Sequence, residues 1–391
     1  MKILSIETSC DETAISLVEA TGEFPHATYE ILGDALWSQV DIHREYGGVF
    51  PALAKREHAA VIVSLLEKCL TEAGVLEREQ IEIDTFLETE IQTLLTREPN
   101  LADTLLAFAG KYSRVEIDLI AVTSGPGLEP ALWVGVNFAR ALALLWDIPI
   151  VPTDHMEGHV LASIFDADLD DQLSDITFPA VSLLISGGHT ELIKMTDWGQ
   201  YEKIGQTRDD AVGEAYDKVA RLVGLPYPGG PEIAARAKLA RQENLPPFAD
   251  LPTPMLHSGD LDMSFSGLKT AVRYAVADQE LSETDVKALA RDFEDAVTTV
   301  LLKKTKEAVE QTGSQTLIVG GGVSANQYLR QEFNKYFLEH ALDVEIYFPQ
   351  PGLSTDNSIM IALAGHARAR QALAPRGTDI IRADGNKSLA A

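Results

Sequence analysis

The sequence predicts an α/β protein of two related halves, and three observations carry that expectation. A strand, a tight polar or glycine turn and a returning strand occur once near the start of the chain and again in its middle. Helical periodicity alternates with short apolar strands through both halves. A length of 391 residues is too much for one small core, so two domains of ordinary size are expected.

The first strand is K-I-L-S-I (2–6), apolar enough for a buried position. The polar turn E-T-S-C-D-E-T (7–13) leads to a second strand, A-I-S-L-V (14–18). Apolar residues then recur at helical spacing in H-A-A-V-I-V-S-L-L-E-K-C-L (58–70). Residues 77–104 are acid-rich, carry no usable motif and read as a surface insertion, partly helical. The strand I-D-L-I-A-V-T (117–123) and the helix V-N-F-A-R-A-L-A-L-L (136–145) complete the first half. The second half opens with the strand F-P-A-V-S-L-L-I (178–185), the turn S-G-G-H (186–189) and the return T-E-L-I-K-M (190–195). Helices at 209–225 and 286–306, the strand T-L-I-V-G (316–320) and a helical run at 358–368 follow. From Pro375 onward Gly, Arg, Asp and Asn dominate, the composition of a loosely held tail.

Composition narrows the function. Apolar residues make up 46%, which suits a globular chain rather than a disordered one. No apolar run approaches the roughly 18 residues of a membrane span. The opening M-K-I-L-S-I-E-T-S-C-D-E turns acidic too soon for a signal peptide. Cys10 and Cys69 form no disulfide framework, and a cytosolic protein is expected. The formal charge of −27 lacks the basic footprint of a protein that grips phosphates unaided. A nucleic-acid substrate would therefore need a local basic stripe or a basic partner.

The stretch D-H-M-E-G-H (154–159) holds two histidines four residues apart. In a helix they share one face, separated by about 6 Å of rise and about 40° of rotation, so both rings can reach one ion. Glu157 lies about 200° from its neighbours two positions away and projects elsewhere. The zinc-protease order H-E-x-x-H, with its glutamate beside the ion, is not met. By itself the pair is equally a half-exposed helix face. A remote carboxylate would favour Fe(II) or Zn(II), and Asp356 in S-T-D-N (354–357) is available. An aspartate before a helix reads first as an N-cap, however.

Four turns could approach an anion. I-S-G-G-H-T (185–190) is a hairpin whose glycines expose backbone N–H groups. I-V-G-G-G-V-S-A-N (318–326) joins a strand to a helix that starts near Ser324 or Asn326, without the spacing of a dinucleotide fingerprint or a P-loop. Y-P-G-G-P-E (227–232) is a stiff loop, and Asp217 before it reads as a solvated acid. D-M-S-F-S-G-L-K-T-A-V (262–272) either holds an anion or is a capped helix.

Taken in order, I-E-T-S-C-D-E-T-A, Y-G-G-V-F-P-A-L-A-K-R-E-H, S-G-P-G-L, H-M-E-G-H, S-G-G-H-T, D-K-V-A-R-L-V-G-L-P-Y-P-G-G-P, S-F-S-G-L-K-T-A, G-G-G-V-S-A-N and T-D-N resemble the universal tRNA threonylcarbamoyladenosine transferase family. Its bacterial members are the TsaD proteins once called Gcp or glycoprotease. The resemblance covers nearly the whole chain outside the insertion and the tail. It implies a two-lobed actin/hexokinase/Hsp70-like fold of duplicated RNase H-like domains with a ligand cleft between them. The implied lobes are 1–152, completed by a C-terminal helix in 356–374, and 153–355, with 375–391 as tail.

The implied reaction moves threonylcarbamoyl from threonylcarbamoyl-AMP to N6 of the adenosine 3′ of the anticodon, position 37, in tRNAs reading ANN codons. Position by position, His155, His159 and Asp356 match the family's metal ligands, usually for iron, with zinc or magnesium also considered. Leu184, Ile185, Ser186, Gly187, Gly188, Asp217, Gly230 and Asn326 match adenylate-binding positions, and Asp11 and Glu12 match acids needed for activity. The implied partners are tRNA, an inactive paralogue (TsaB), a small P-loop ATPase (TsaE) and the synthase that makes the adenylate, with no membrane. Asp154 departs from the His or Asn that the family often carries there. The competing readings are a metalloendopeptidase, an ATP-dependent kinase or ATPase of the same fold, and a non-catalytic scaffold.

Overall fold

The fold grows outward from the strand that opens the chain. In the computed structural model, which describes residues 1–98, 100–166, 171–277, 279–340 and 343–390, β1 (Lys2–Glu7) buries every residue except Lys2. It pairs antiparallel with β2 (Glu12–Thr21), and β2 with β3 (Thr28–Ser38). On its other edge β1 runs parallel to β4 (Leu119–Thr123), and β4 to β5 (Ile150–Thr153). Two short strands, β6 (Phe165–Asp166) and β7 (Gln172–Leu173), extend the sheet beyond β3.

The second sheet repeats this plan. A meander of β8 (Ala180–Ile185), β9 (Thr190–Asp197) and β10 (Gln200–Gln206) is continued beside β8 by the parallel strands β11 (Thr316–Gly320) and β12 (Glu345–Tyr347). The strand orders are β5-β4-β1-β2-β3-β7-β6 and β10-β9-β8-β11-β12. Read from the central strand, both consist of an antiparallel meander on one side and two parallel strands on the other. The duplication hinted at by two strand–turn–strand units is a real repeat, and the fold is the expected two-lobed actin/hexokinase/Hsp70-like class.

Side chains alternate between two cores along the central strands, as the period of two demands. The single-turn α1 (Val40–Arg44) leads into α2 (Pro51–Glu72), and Leu4 and Ile6 join the core under α2 and α5 (Glu129–Trp146); Ile3 faces the opposite core. In β8, Val181, Leu183 and Ile185 pack under α7 (Val212–Leu222), α8 (Gly229–Gln242), α9 (Ser266–Ala275), α10 (Glu283–Thr312) and α11 (Gln327–Glu339). Ala180 and Leu184 point the other way. Burial on both faces explains why these strands read as continuous apolar runs.

The third core lies between the sheets and contains α6 (His155–Ile164) and α12 (Ile359–Ala367). The two helices meet at Gly158, where a Cβ would come within 3.0 Å of Met360 Cγ and 3.3 Å of Ile361 Cδ1. Any side chain there would crowd α12 and force Met360 or Ile361 to shift by a few tenths of an ångström.

Three features differ from the sequence reading. Strands β3 and β10 were not legible, because both mix polar and apolar residues irregularly and β10 lies on a sheet edge. The stretch 77–104, expected as a surface insertion, forms α3 (Thr85–Leu94) and begins α4 (Leu101–Ala109), and it buries Ile91, Leu95 and Leu101 in the first core. Apart from the buried Glu98, its acids are exposed or half-buried, and their number hid an apolar stripe. The stretch from Pro375, expected to be loosely held, buries Ile381 in that same core. Asp384 N donates to Ser124 O (2.8 Å), and Lys387 Nζ to Ser124 Oγ (3.1 Å) and Thr153 O (3.3 Å). Pro99 of the insertion and Ala391 of the tail lie outside the described residues.

Candidate metal centre

The start of α6 is fixed by Asp154, whose Oδ1 accepts from Met156 N (2.9 Å) and Glu157 N (3.3 Å). This N-cap makes His155 the first helical residue and puts His159 one turn later on the same face. Both Nε2 atoms converge on Asp356 Oδ1, at 3.3 Å from His155 and 3.2 Å from His159. One ligand atom from each of the three residues falls within 4.8 Å of the others. The imidazoles are almost wholly buried, whereas the Asp356 side chain is 19% exposed, so the cluster reaches solvent on the carboxylate side. Asp356 is not the helix cap that sequence alone favoured. Asn357 does that work, accepting from Met360 N at 2.9 Å.

Behind the cluster, His155 Nδ1 is 3.1 Å from Glu7 Oε2 and 3.2 Å from Ser9 Oγ. Glu7 is fully buried at the end of β1 and also accepts from Thr123 Oγ1 (2.6 Å). Burial opposes a charge on His155, yet the Asp356 and Glu7 carboxylates hold its pKa well above the ordinary value. Burial lowers the pKa of His159. Asp356, despite its own burial, is held well below the usual carboxylate range by the two imidazoles.

These residues fit a divalent ion. Two imidazoles and a carboxylate are a common donor set. The Glu7 contact fixes the outer nitrogen of His155 and leaves Nε2 as the donor, the usual arrangement behind a metal-bound histidine. The proton that two carboxylates favour on His155 marks where a cation would be welcome. Glu157 takes no part, as the helical geometry required: it accepts from Tyr201 OH (2.9 Å) and from Arg368.

Asp11 and Glu12 stand at the entry to β2, within the electrostatic reach of Asp356. Asp11 is buried, and its Oδ2 has no hydrogen-bond partner among the described residues. Burial raises both pKa values, and for Glu12 the Asp11 charge adds to the effect. Glu12 Oε1 accepts from Ser38 Oγ at 3.1 Å.

The glycine turns sort themselves by what surrounds them. Ser186 N donates to His189 O (2.9 Å), closing a two-residue hairpin, and added Cβ atoms on Gly187 or Gly188 would meet nothing within 4 Å. His189, which closes the turn, lies within electrostatic range of His155 and His159. Leu184 and Ile185 are buried strand residues paired on β9, so their side chains face cores rather than the cleft. Gly321, at φ +89°, lies against the Ile185 carbonyl, where any side chain would collide.

Asp217 is not a solvated acid. Its Oδ1 accepts from Gly229 N (2.7 Å) at the start of α8, next to the open Gly230, and burial raises its pKa. Asn326 caps α11 by accepting from Leu329 N (3.1 Å), and its Nδ2 donates to Glu294 (2.6 Å). The hydroxyl-rich stretch at 262–272 is a capped helix: Asp209 accepts from Phe265 N (2.8 Å), Ser266 N (3.1 Å) and the Ser264 and Ser266 hydroxyls.

Sequence reasoning missed Glu7 and Ser9. The available signal was an acid ending a buried strand, where a charge needs a partner.

Comparison with known proteins identifies the family. The family profile described as "TsaD: tRNA N6-adenosine threonylcarbamoyltransferase" matches residues 30–83 and 95–363. A protein of that name from Burkholderia ambifaria is 42% identical over 375 residues, covering 94% of this chain and 92% of its own. One from Nitrosomonas europaea is 41% identical over 373 residues, covering 95% and 94%. Among solved structures, a ROK hexokinase from Thermus thermophilus aligns with 95% of this chain and all of its own, at 11% identity and a TM-score of 0.42.

Proposed function

From the premise that the chain belongs to the tRNA N6-adenosine threonylcarbamoyltransferase family, we propose that it transfers threonylcarbamoyl from threonylcarbamoyl-AMP to N6 of adenosine 37 in tRNAs reading ANN codons. It is a tRNA-modifying acyltransferase. The observation that carries the site reading is the convergence of His155, His159 and Asp356 across almost two hundred positions of sequence.

His155, His159 and Asp356 would hold one divalent ion, with iron preferred over zinc or magnesium. Such an ion supplies Lewis-acid polarisation of the threonylcarbamoyl end. The open amides of Gly187–Gly188 and the Gly321–Gly322 turn receive the AMP portion and stabilise its leaving charge. Asp217 and Gly230 stiffen the opposite rim, and Asn326 orders the helix start behind it. As N6 attacks the carbonyl carbon, the anhydride bond to phosphate breaks and AMP departs. Asp11, buried with an unpartnered oxygen, accepts the N6 proton; Glu12 keeps the pair's shared charge low.

The direction of Glu157 argues against a metallopeptidase, because its carboxylate is engaged by Tyr201 and Arg368 and not by the cluster. The histidine pair argues against a scaffold. Partners of the reaction are proposed to be the inactive paralogue, the P-loop ATPase and the adenylate synthase, in the cytoplasm. No helix among the described residues is long and apolar enough to cross a membrane.

The deciding experiment is mass spectrometry of tRNA nucleosides after complementing a strain depleted of its own enzyme. The wild-type chain restores threonylcarbamoyladenosine, and a His159→Ala, Asp356→Ala chain does not. Equal restoration by both would remove the metal cluster from the mechanism.

A further inference from the structure

We propose that Tyr46 and Phe50 form a stacking platform for a nucleobase of the tRNA anticodon loop at the mouth of the cleft. The inference rests on the family reading above and adds a surface that takes the RNA.

The segment E-Y-G-G-V-F (45–50) joins α1 to α2 and belongs to a motif that the chemistry described so far does not use. Tyr46 is 62% and Phe50 54% exposed, yet their rings lie near-parallel, 20° apart, with centroids separated by 6.1 Å. Gly47, at φ +67°, and Gly48, at φ +152°, let the chain reverse between them, so that both rings come to one side. Two large rings presented together to water are a binding feature more than a packing one.

The turn is tied down from both lobes. Gly48 N donates to His43 O and Phe50 N to His43 Nδ1, each at 3.4 Å. From the second lobe, the Arg221 guanidinium donates to Gly47 O, and Arg44 Nε reaches across to Tyr227 O at 3.0 Å. The same turn borders the reacting groups. Gln39 N, just before α1, donates to Asp11 O (2.8 Å), and the Tyr227 hydroxyl feels the charges of Asp11 and Asp217. The turn that carries the ring pair is therefore bonded to both halves of the chain and linked through α1 to the residue that holds Asp11.

Stacking answers the difficulty raised by the charge. A chain at −27 is poorly suited to hold RNA through many phosphates. An aromatic face needs no positive charge and accepts any base, and loop nucleotides are the ones that can be splayed onto it.

The test uses the chain assembled with its partner subunits and a tRNA carrying 2-aminopurine beside the target adenosine, whose fluorescence stacking quenches. Wild type quenches the probe. The pair Tyr46→Ala, Phe50→Ala loses the quenching and raises both Kd and KM for tRNA about tenfold or more, with KM for threonylcarbamoyl-AMP unchanged. Tyr46→Phe retains wild-type values. The pair Tyr46→Leu, Phe50→Leu keeps apolar bulk without a stacking face, guards against a folding defect and behaves as the alanine pair. Equal quenching and equal tRNA KM in wild type and the leucine pair overturn the platform. So does a loss confined to the binding of a protein subunit, which would make the rings a protein contact. Absence of tRNA modification by wild type counts against the family reading instead, and the fluorescence is read without turnover, so the two failures separate.

Discussion

Arg368 grips Glu157 from the far end of α12, with Nε 2.9 Å from Oε2 and Nη2 2.9 Å from Oε1. The pair lies on the side of α6 away from the metal cluster, and the close approach at Gly158 lies between them. Helix α6 is thereby held to α12 and its flanking residues at three points: the histidine–Asp356 contacts before it, the glycine crossing and the ion pair at its end. One crossing alone would allow α6 to pivot and swing His155 and His159 away from Asp356. Tyr201, on the second sheet, adds a bond to the same carboxylate. Replacing Arg368 with Met strands a buried charge and should lower unfolding free energy by about 3–5 kcal/mol. The double change Glu157→Gln, Arg368→Met removes that charge and should recover part of the loss. Urea unfolding measures both, and an Arg368→Met chain within about 0.5 kcal/mol of wild type would refute the clamp.

The Glu7 contact predicts a graded metal phenotype. Glu7→Gln keeps shape and a hydrogen bond to His155 but removes the charge that orients the ring. Metal affinity should fall about 10- to 100-fold, read by chelator competition. Asp356→Asn removes a donor outright and should abolish stoichiometric metal in the purified chain. Wild-type affinity in the Glu7 variant would show that Ser9 alone sets the ring.

Asp11→Asn tests the proton acceptor. The amide matches the carboxylate in size and cannot take the N6 proton. Single-turnover transfer should slow by about 10²- to 10⁴-fold, while the variant still binds metal and threonylcarbamoyl-AMP. Wild-type turnover in a correctly folded variant would remove Asp11 from the mechanism.

What could be read from the sequence follows a physical divide. The helix phase of His155 and His159, and the outward direction of Glu157, are consequences of 3.6 residues per turn and needed no structure. Central strands were visible because both faces are buried, whereas β3 and β10 carry polar residues that blur their pattern. Asp356 was ambiguous, since its neighbour Asn357 can cap the same helix and only the fold decides which does. The partners of Glu7, Arg368 and Asp209 were invisible for a different reason. Each acts on a residue more than 50 positions away, and such pairings are set by topology.

His58 predicts how the site fails in acid. Thr13 Oγ1 lies 2.7 Å from its Nδ1 and Cys10 O 3.0 Å from its Nε2, so the neutral ring with its proton on Nε2 satisfies both. Burial lowers its pKa to about 4, against about 6.5 in an unfolded chain. Between these values the unfolded state carries a proton that the folded state lacks, so unfolding free energy rises with pH across the window. The contribution is complete above about pH 6.5 and is lost as pH falls toward 4; a shift of this size is worth about 3 kcal/mol. His58→Gln should flatten the dependence by that amount in denaturant titrations between about pH 4 and 7, and identical slopes in the two chains would assign the acid sensitivity elsewhere. Because His58 braces Cys10 and Thr13 on either side of Asp11 and Glu12, protonating it loosens the loop that carries the proposed base. Transfer activity at about pH 5 should therefore fall before the chain unfolds, and circular dichroism recorded beside the assay separates the two events.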